Sequence, residues 1–229
     1  MLSKISQFII MNIGFSVCHQ IPERTLHFGK IFMPVCSRCS GIYIGFLVSI
    51  IFLFLTFRKK ESDLPPVYVM VFAAVFILST IADSILSYFG VYQTNNTLRL
   101  ITGYLFGAGI AVIIYPIFVY QYYKVSIPKK IFYHFKYFIY FMAISLSIMI
   151  IMLLGPSTLG NFFYYLNGIA VIFTFYFINI TLLLFIPYFS QKAQKLFSRE
   201  LGVLSAAALI ISFIELFILY KLHSLINLK

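Results

Sequence analysis

Residues 36–60 read CSRCSGIYIGFLVSIIFLFLTFRKK. From Ser40 to Phe57 no side chain is charged, and Arg58, Lys59 and Lys60 close the run. A stretch of 18 or more apolar residues is long enough for a helix to cross the hydrocarbon of a bilayer. Comparable runs fall at 67–88, 98–120, 137–154, 164–186 and 201–220. Pro65-Pro66, Gly155-Pro156 and Pro187 stand at their borders. The reading is an all-α, polytopic transmembrane helical bundle of about six spans. An N-terminal run near 5–17 is too short to cross simply and is broken by Asn12 and Gly14. It reads as an interfacial or partly inserted helix, with a seventh span as the alternative. No small-residue cleavage site follows it, so it does not read as a signal peptide.

Composition agrees. The 229 residues are 62% hydrophobic and 10% charged, with a mean hydropathy of +0.98. A soluble domain carries about 25% charged residues. The net charge of +11 does not indicate nucleic acid, because the cations sit in short loops between spans. Loops after spans one, three and five hold Arg58, Lys59, Lys60, then Lys124, Lys129, Lys130, Lys136, then Lys192, Lys195, Arg199. Loops after spans two and four hold none apart from Arg99 at a helix mouth. Cytoplasmic loops carry the Lys/Arg excess, which puts the cysteine-bearing end on the extracytoplasmic face of a cell membrane. The whole chain reads as one membrane domain: 1–39 forms the N-terminal segment and motif, 40–229 the bundle.

All three cysteines lie in residues 18–41, CHQIPERTLHFGKIFMPVCSRCSG. Cys36-Ser-Arg-Cys39 is a CxxC directly before a helix. Thiolates favour zinc or a similar ion, and CxxC is a common half-site. Cys18 with His19 or His27 supplies a second half, giving a Cys3His set for zinc, with His19 as the choice because His27 reads as a loop residue. Two other readings stay open. A CxxC at a helix N-terminus, beside Arg38, stabilises a thiolate and suits thiol–disulfide exchange, with Cys18 as a resolving thiol. A plain disulfide would pin the loop to the first span.

Three further polar groups fall at the same end. Asp83 is about five residues, or 7 Å, below the end of span two. Arg99 opens span three, and Glu215 stands near the end of span six. Ionisable groups within a membrane cost about 2.5–3.5 kcal/mol or more each and face a cavity or partner. Asp83 pairs with Arg99, or else Asp83 and Glu215 serve as proton-transfer groups in metal-assisted chemistry. Arg24, Arg38 and Arg99, with Gln20 and Asn96, could hold an anionic or lipid-phosphate ligand, because guanidinium forks match phosphate oxygens. The alternative pairs those arginines with Glu23, Asp83 and Glu215. Gly41-x-x-x-Gly45 and Gly103-x-x-x-Gly107 would let spans one and three approach closely.

These motifs resemble a prokaryotic membrane protein family, domain of unknown function 2085. The likeness rests on Cys18-His19-Gln20 with Arg24 and Thr25, on Pro34, Cys36, Arg38, Cys39 and Gly41, and on Asp83 followed by Asn96, Arg99, Thr102 and Gly103. It covers roughly residues 15 to 110, with Ser84 where the family often has glycine. The resemblance implies a prokaryotic cell membrane and that these residues belong together. It names no reaction, so a transporter and a membrane thiol–disulfide oxidoreductase stand beside the metal-binding reading. The sequence leaves the oligomeric state open.

Overall fold

The computed structural model describes residues 4–58, 60–194 and 202–226. Six long apolar helices run the thickness of the molecule: α2 Ser37–Thr56, α3 Val67–Tyr88, α4 Asn96–Tyr122, α5 Phe135–Leu154, α6 Gly160–Leu183 and α7 Gly202–Ile226. A shorter apolar helix, α1 Lys4–Val17, precedes them. At 1.5 Å per residue α1 spans about 21 Å, against about 30 Å of bilayer hydrocarbon. The expected borders hold to within a few residues for α2 to α5. Helix α6 stops before Pro187, and α7 continues beyond Tyr220 to Ile226. The loop cations Lys59, Lys195, Arg199 and the expected first residue of span six, Leu201, lie outside the described residues.

Consecutive helices alternate in direction, so two ends can be distinguished. The cysteine end gathers the starts of α2, α4 and α6 and the finishes of α3, α5 and α7. Helix α1 lies across this end. The Tyr164 hydroxyl donates to the Gln7 carbonyl at 3.0 Å, and Phe15 meets Tyr220 and His223 at 5.5 and 5.7 Å between ring centroids. Both helices thus touch α1 near their cysteine-end termini. The opposite end collects Arg58, Lys60, Lys124, Lys129, Lys130, Lys136 and Lys192. Its loops are stitched together, which the loop composition did not announce. A short strand β3, Glu61–Asp63, pairs in parallel with β4, Ile127–Lys130. The Lys60 ammonium donates to the Gln194 carbonyl at 2.7 Å, and Lys124 N–H to the Ala193 carbonyl at 2.9 Å.

The tightest joint is between α2 and α4. Glycines meet backbone there rather than side chains. A Cβ on Gly41 would lie 2.5 Å from the Leu100 carbonyl oxygen and 2.6 Å from the Tyr104 nitrogen. One on Gly45 would lie 3.0 Å from the Tyr104 Cα. In return, Gly103 faces the Arg38 backbone and Gly107 faces Ile42 and Phe46. Lipid tails are as apolar as leucine, so helix association in a membrane rests on this kind of close packing. Around it lies a core of Ile44, Phe46, Ile50, Leu53, Leu100, Tyr104 and Tyr115. Helix α3 joins α4 through the Thr80 hydroxyl, which donates to the Thr102 carbonyl at 2.6 Å.

Gly103→Leu should force the two backbones apart and destabilise the fold by about 1–3 kcal/mol or more, as overpacking does. Thermal unfolding in detergent should show the loss, while Gly90→Leu is not a fair control because Gly90 has a positive φ. Gly202→Leu, at a position with nothing within 4 Å of an added Cβ, should leave the transition unchanged.

Candidate metal centre

Cys18 follows α1, Cys36 caps α2, and Cys39 stands in its first turn. Their sulfurs all lie within 4.8 Å of one another. The three are free thiols, with Cys18 buried and the other two partly covered. The Cys36 N–H donates to the Cys18 sulfur at 3.1 Å. Cys36 is held below the ordinary thiol value by hydrogen bonds from Cys18 and Cys39 and by the backbone N–H groups of Cys39 and Arg38. Cys18 is pushed up, chiefly through its hydrogen bond with Cys36 and also by burial. One thiolate is therefore favoured at Cys36, supported by the N-terminus of α2.

The loop between Cys18 and Cys36 is fastened at several points. The Gln20 amide donates to the Pro34 carbonyl at 2.7 Å and to the Met11 carbonyl at 2.8 Å. This clamps the chain before Cys36 onto α1 and brings Cys18 beside it. Gln20 takes a positive φ of 52° to do so, a conformation that costs about 1–3 kcal/mol in a non-glycine residue. A turn of 3-10 helix, Pro22–Arg24, sits over the starts of α2 and α4. The Ser37 hydroxyl donates to the Arg24 carbonyl at 2.9 Å, and the Asn96 amide to the Glu23 carbonyl at 3.0 Å. The hairpin of β1, His27–Phe28, and β2, Ile31–Phe32, then docks on α6 through Phe28 against Phe163.

Two sequence expectations change at this point. His19 does not join the sulfurs. It is exposed, and its ring packs on His223 at 4.6 Å between centroids. The centre is thus three cysteines, because adjacent side chains at 18 and 19 point apart. Gln20 and Asn96 donate their amides to backbone carbonyls, which fastens the loop.

Asp83 is reached by Arg38, not by Arg99. The Arg38 guanidinium forms an ion pair with the Asp83 carboxylate, and the Tyr92 hydroxyl donates to its other oxygen. The expected Asp83–Arg99 pair is replaced because Arg38, on the α2 turn that carries both CxxC sulfurs, projects toward α3. Tyr92 is a partner that the sequence did not mark, since it lies in an uncharged loop. Arg99 remains within electrostatic range of Arg24, Arg38, Cys36 and Asp83. The Nε atoms of Arg38 and Arg99 are buried without a hydrogen-bond partner. Glu215 stands apart. It lies eleven residues before the end of α7, about 16 Å along the helix, where Asn179 donates to it at 2.7 Å. Its expected place in the Asp83 layer followed from ending the span at Tyr220.

A family model described as a predicted membrane protein, DUF2085, matches residues 18–113. The chain belongs to this family. It is 35% identical over 97 residues to an uncharacterized protein of Methanothermobacter thermautotrophicus, covering 42% of this chain and 83% of that one. It is 34% identical over 110 residues to the uncharacterized protein MJ1492 of Methanocaldococcus jannaschii, covering 47% and 67%. No solved structure matches. The matched residues hold all three cysteines, Arg24, Arg38, Asp83, Arg99 and both glycine pairs, whereas Glu215 and His223 fall outside them.

Asp83 is buried and Arg38 partly exposed, so removing the carboxylate leaves the guanidinium without its partner, a loss that solvent screening keeps below the about 3–5 kcal/mol of a fully buried pair. Asp83→Leu should therefore lower the unfolding temperature in detergent more than the double variant Arg38→Met/Asp83→Leu. Equal losses would show that the unpaired Arg38 charge costs nothing.

Proposed function

We propose that this membrane protein binds one zinc ion through Cys18, Cys36 and Cys39, with the fourth position open. The supporting observation is the closeness of three free thiols drawn from two separate parts of the chain. A tetrahedral zinc with bonds of about 2.3 Å sets its sulfurs about 3.8 Å apart, so small side-chain rotations close the site. No described His, Asp or Glu joins the group. An open position is the feature that separates reactive zinc sites from structural ones. Beside it, Arg99 lies within electrostatic range of Arg24 and Arg38, and among the described residues Arg38 alone of the three forms an ion pair, with Asp83. Two guanidinium N–H groups there lack partners. This excess of positive charge supports an anionic ligand such as a lipid phosphate. Asp83 orients Arg38 in this reading, and Glu215 takes no part in the zinc step.

The cation-rich opposite end supports a cytoplasmic location for it and an extracytoplasmic cysteine end. A thiol–disulfide role uses the same three sulfurs and draws on the Cys36 thiolate. It differs in requiring a reversible disulfide at an intermediate potential.

Elemental mass spectrometry of protein purified under reducing conditions should find close to one zinc per chain. Cys18→Ser, Cys36→Ser and Cys39→Ser should each remove most of it, and His19→Ala should keep it. Metal-free wild type together with a reversible disulfide would replace zinc by the thiol reading. For orientation, a cysteine-free variant carrying Thr97→Cys should react with a charged thiol reagent added outside intact cells, while Lys129→Cys should not.

A further inference from the structure

A cavity of about 330 Å³ lies below the cysteines, between α2, α4, α6 and α7. Its size falls within the small-molecule range of about 300–1,000 Å³. The walls include Ile42, Tyr43 and Phe46 of α2, Phe106 and Ile110 of α4, and Ile178 of α6. Glu215 and Asn179 supply its polar corner, and each is already hydrogen-bonded to the other. Leu182, also in the lining, is 59% exposed on the outside of the bundle. The cavity lining therefore reaches the apolar outer surface of the bundle.

The cavity and the cysteine centre share a helix face. Residues three, four and seven apart lie on one side of a helix. Cys39, Ile42, Tyr43 and Phe46 have this spacing on α2. On α4, Arg99, Phe106 and Ile110 stand seven and eleven apart, again on one side. Tyr43 links the two regions: it lines the cavity and lies within electrostatic range of all three sulfurs. Cys39, Ile42 and Tyr43 are each partly accessible.

We propose that the three-cysteine centre is reached from within the bilayer, through this lateral cavity, by a ligand bearing a hydrocarbon chain. The chain lies against Phe46, Phe106 and Ile178, and the polar head lies toward Cys39 and Arg99. Tyr43 stands at the passage between them. This deepens the anionic-ligand reading by assigning the ligand to the amphiphiles and its path to the membrane.

The test compares two thiol reagents on the full chain in vesicles, after chelator and reductant have freed the sulfurs. N-dodecylmaleimide is the apolar probe, and a trimethylammonium methanethiosulfonate is the charged one. Peptide mass spectrometry gives the rate at Cys39. Ile178→Trp should fill the cavity and slow the apolar reagent about tenfold, equivalent to about 1.4 kcal/mol of added barrier. The charged reagent should keep its rate, which also reports an intact fold. Leu182→Trp, where the cavity lining reaches the bundle surface, should act in the same direction and covers the case in which Ile178→Trp fails to fold. Val75→Trp, on the exposed face of α3, should change neither rate. Unchanged apolar labelling in both cavity variants, or equal slowing of both reagents, overturns the proposal. The thiols are metal-free throughout, so a failed zinc measurement sinks the zinc reading and leaves this result to stand or fall alone.

Discussion

The contact on which the rest depends is the crossing of α2 and α4, where four glycines bring backbone against backbone. Gly103 presses on the Arg38 backbone, one residue before Cys39. That contact fixes the height of the CxxC turn relative to Arg99, which begins the same face of α4. A larger residue at any of the four positions would move the cysteines and the arginines relative to each other. The site is therefore a consequence of helix packing before it is a consequence of its own side chains. Helix α3 adds Asp83 to this pair through the Thr80–Thr102 bond and the Arg38 ion pair.

Much of the motif serves to hold the loop. Gln20, Ser37 and Asn96 each satisfy a backbone carbonyl that the irregular segment leaves free. A buried carbonyl or amide without a partner costs about 1–3 kcal/mol, so a non-helical loop lying on a bundle needs such fasteners. Residues of this kind sit among ligand groups and look like them in a sequence. The difference lies in where their donors point.

The family match ends within α4, while the cavity needs α6 and α7. The matched half carries the cysteines, the arginines and the glycine crossing. The later half closes the back. Phe163 of α6 receives the hairpin, and Tyr220 and His223 of α7 receive α1. These contacts tie the cysteine loop to both halves. Glu215 stands on a wall of the cavity rather than at the sulfurs.

The sequence by itself determined six spans, the borders of α2 to α5 to a few residues, the short first helix and the two glycine pairs. Hydrophobic length and small-residue spacing are local properties, readable without knowing what lies opposite. It also located Asp83 in depth, because α3 ends where the apolar run ends. Depth failed for Glu215, since α7 carries its helix past the apolar run into residues such as Lys221 and His223. Partners were settled only by the tertiary structure. Arg38 rather than Arg99 meets Asp83, His19 turns to His223, and Tyr92 completes the carboxylate's bonds. Each outcome depends on which way a side chain leaves its helix once neighbours are in place, and spacing along one chain does not contain that direction. Proximity of Cys18 to Cys36 is likewise decided by the Gln20 clamp, across a loop whose path no periodicity describes.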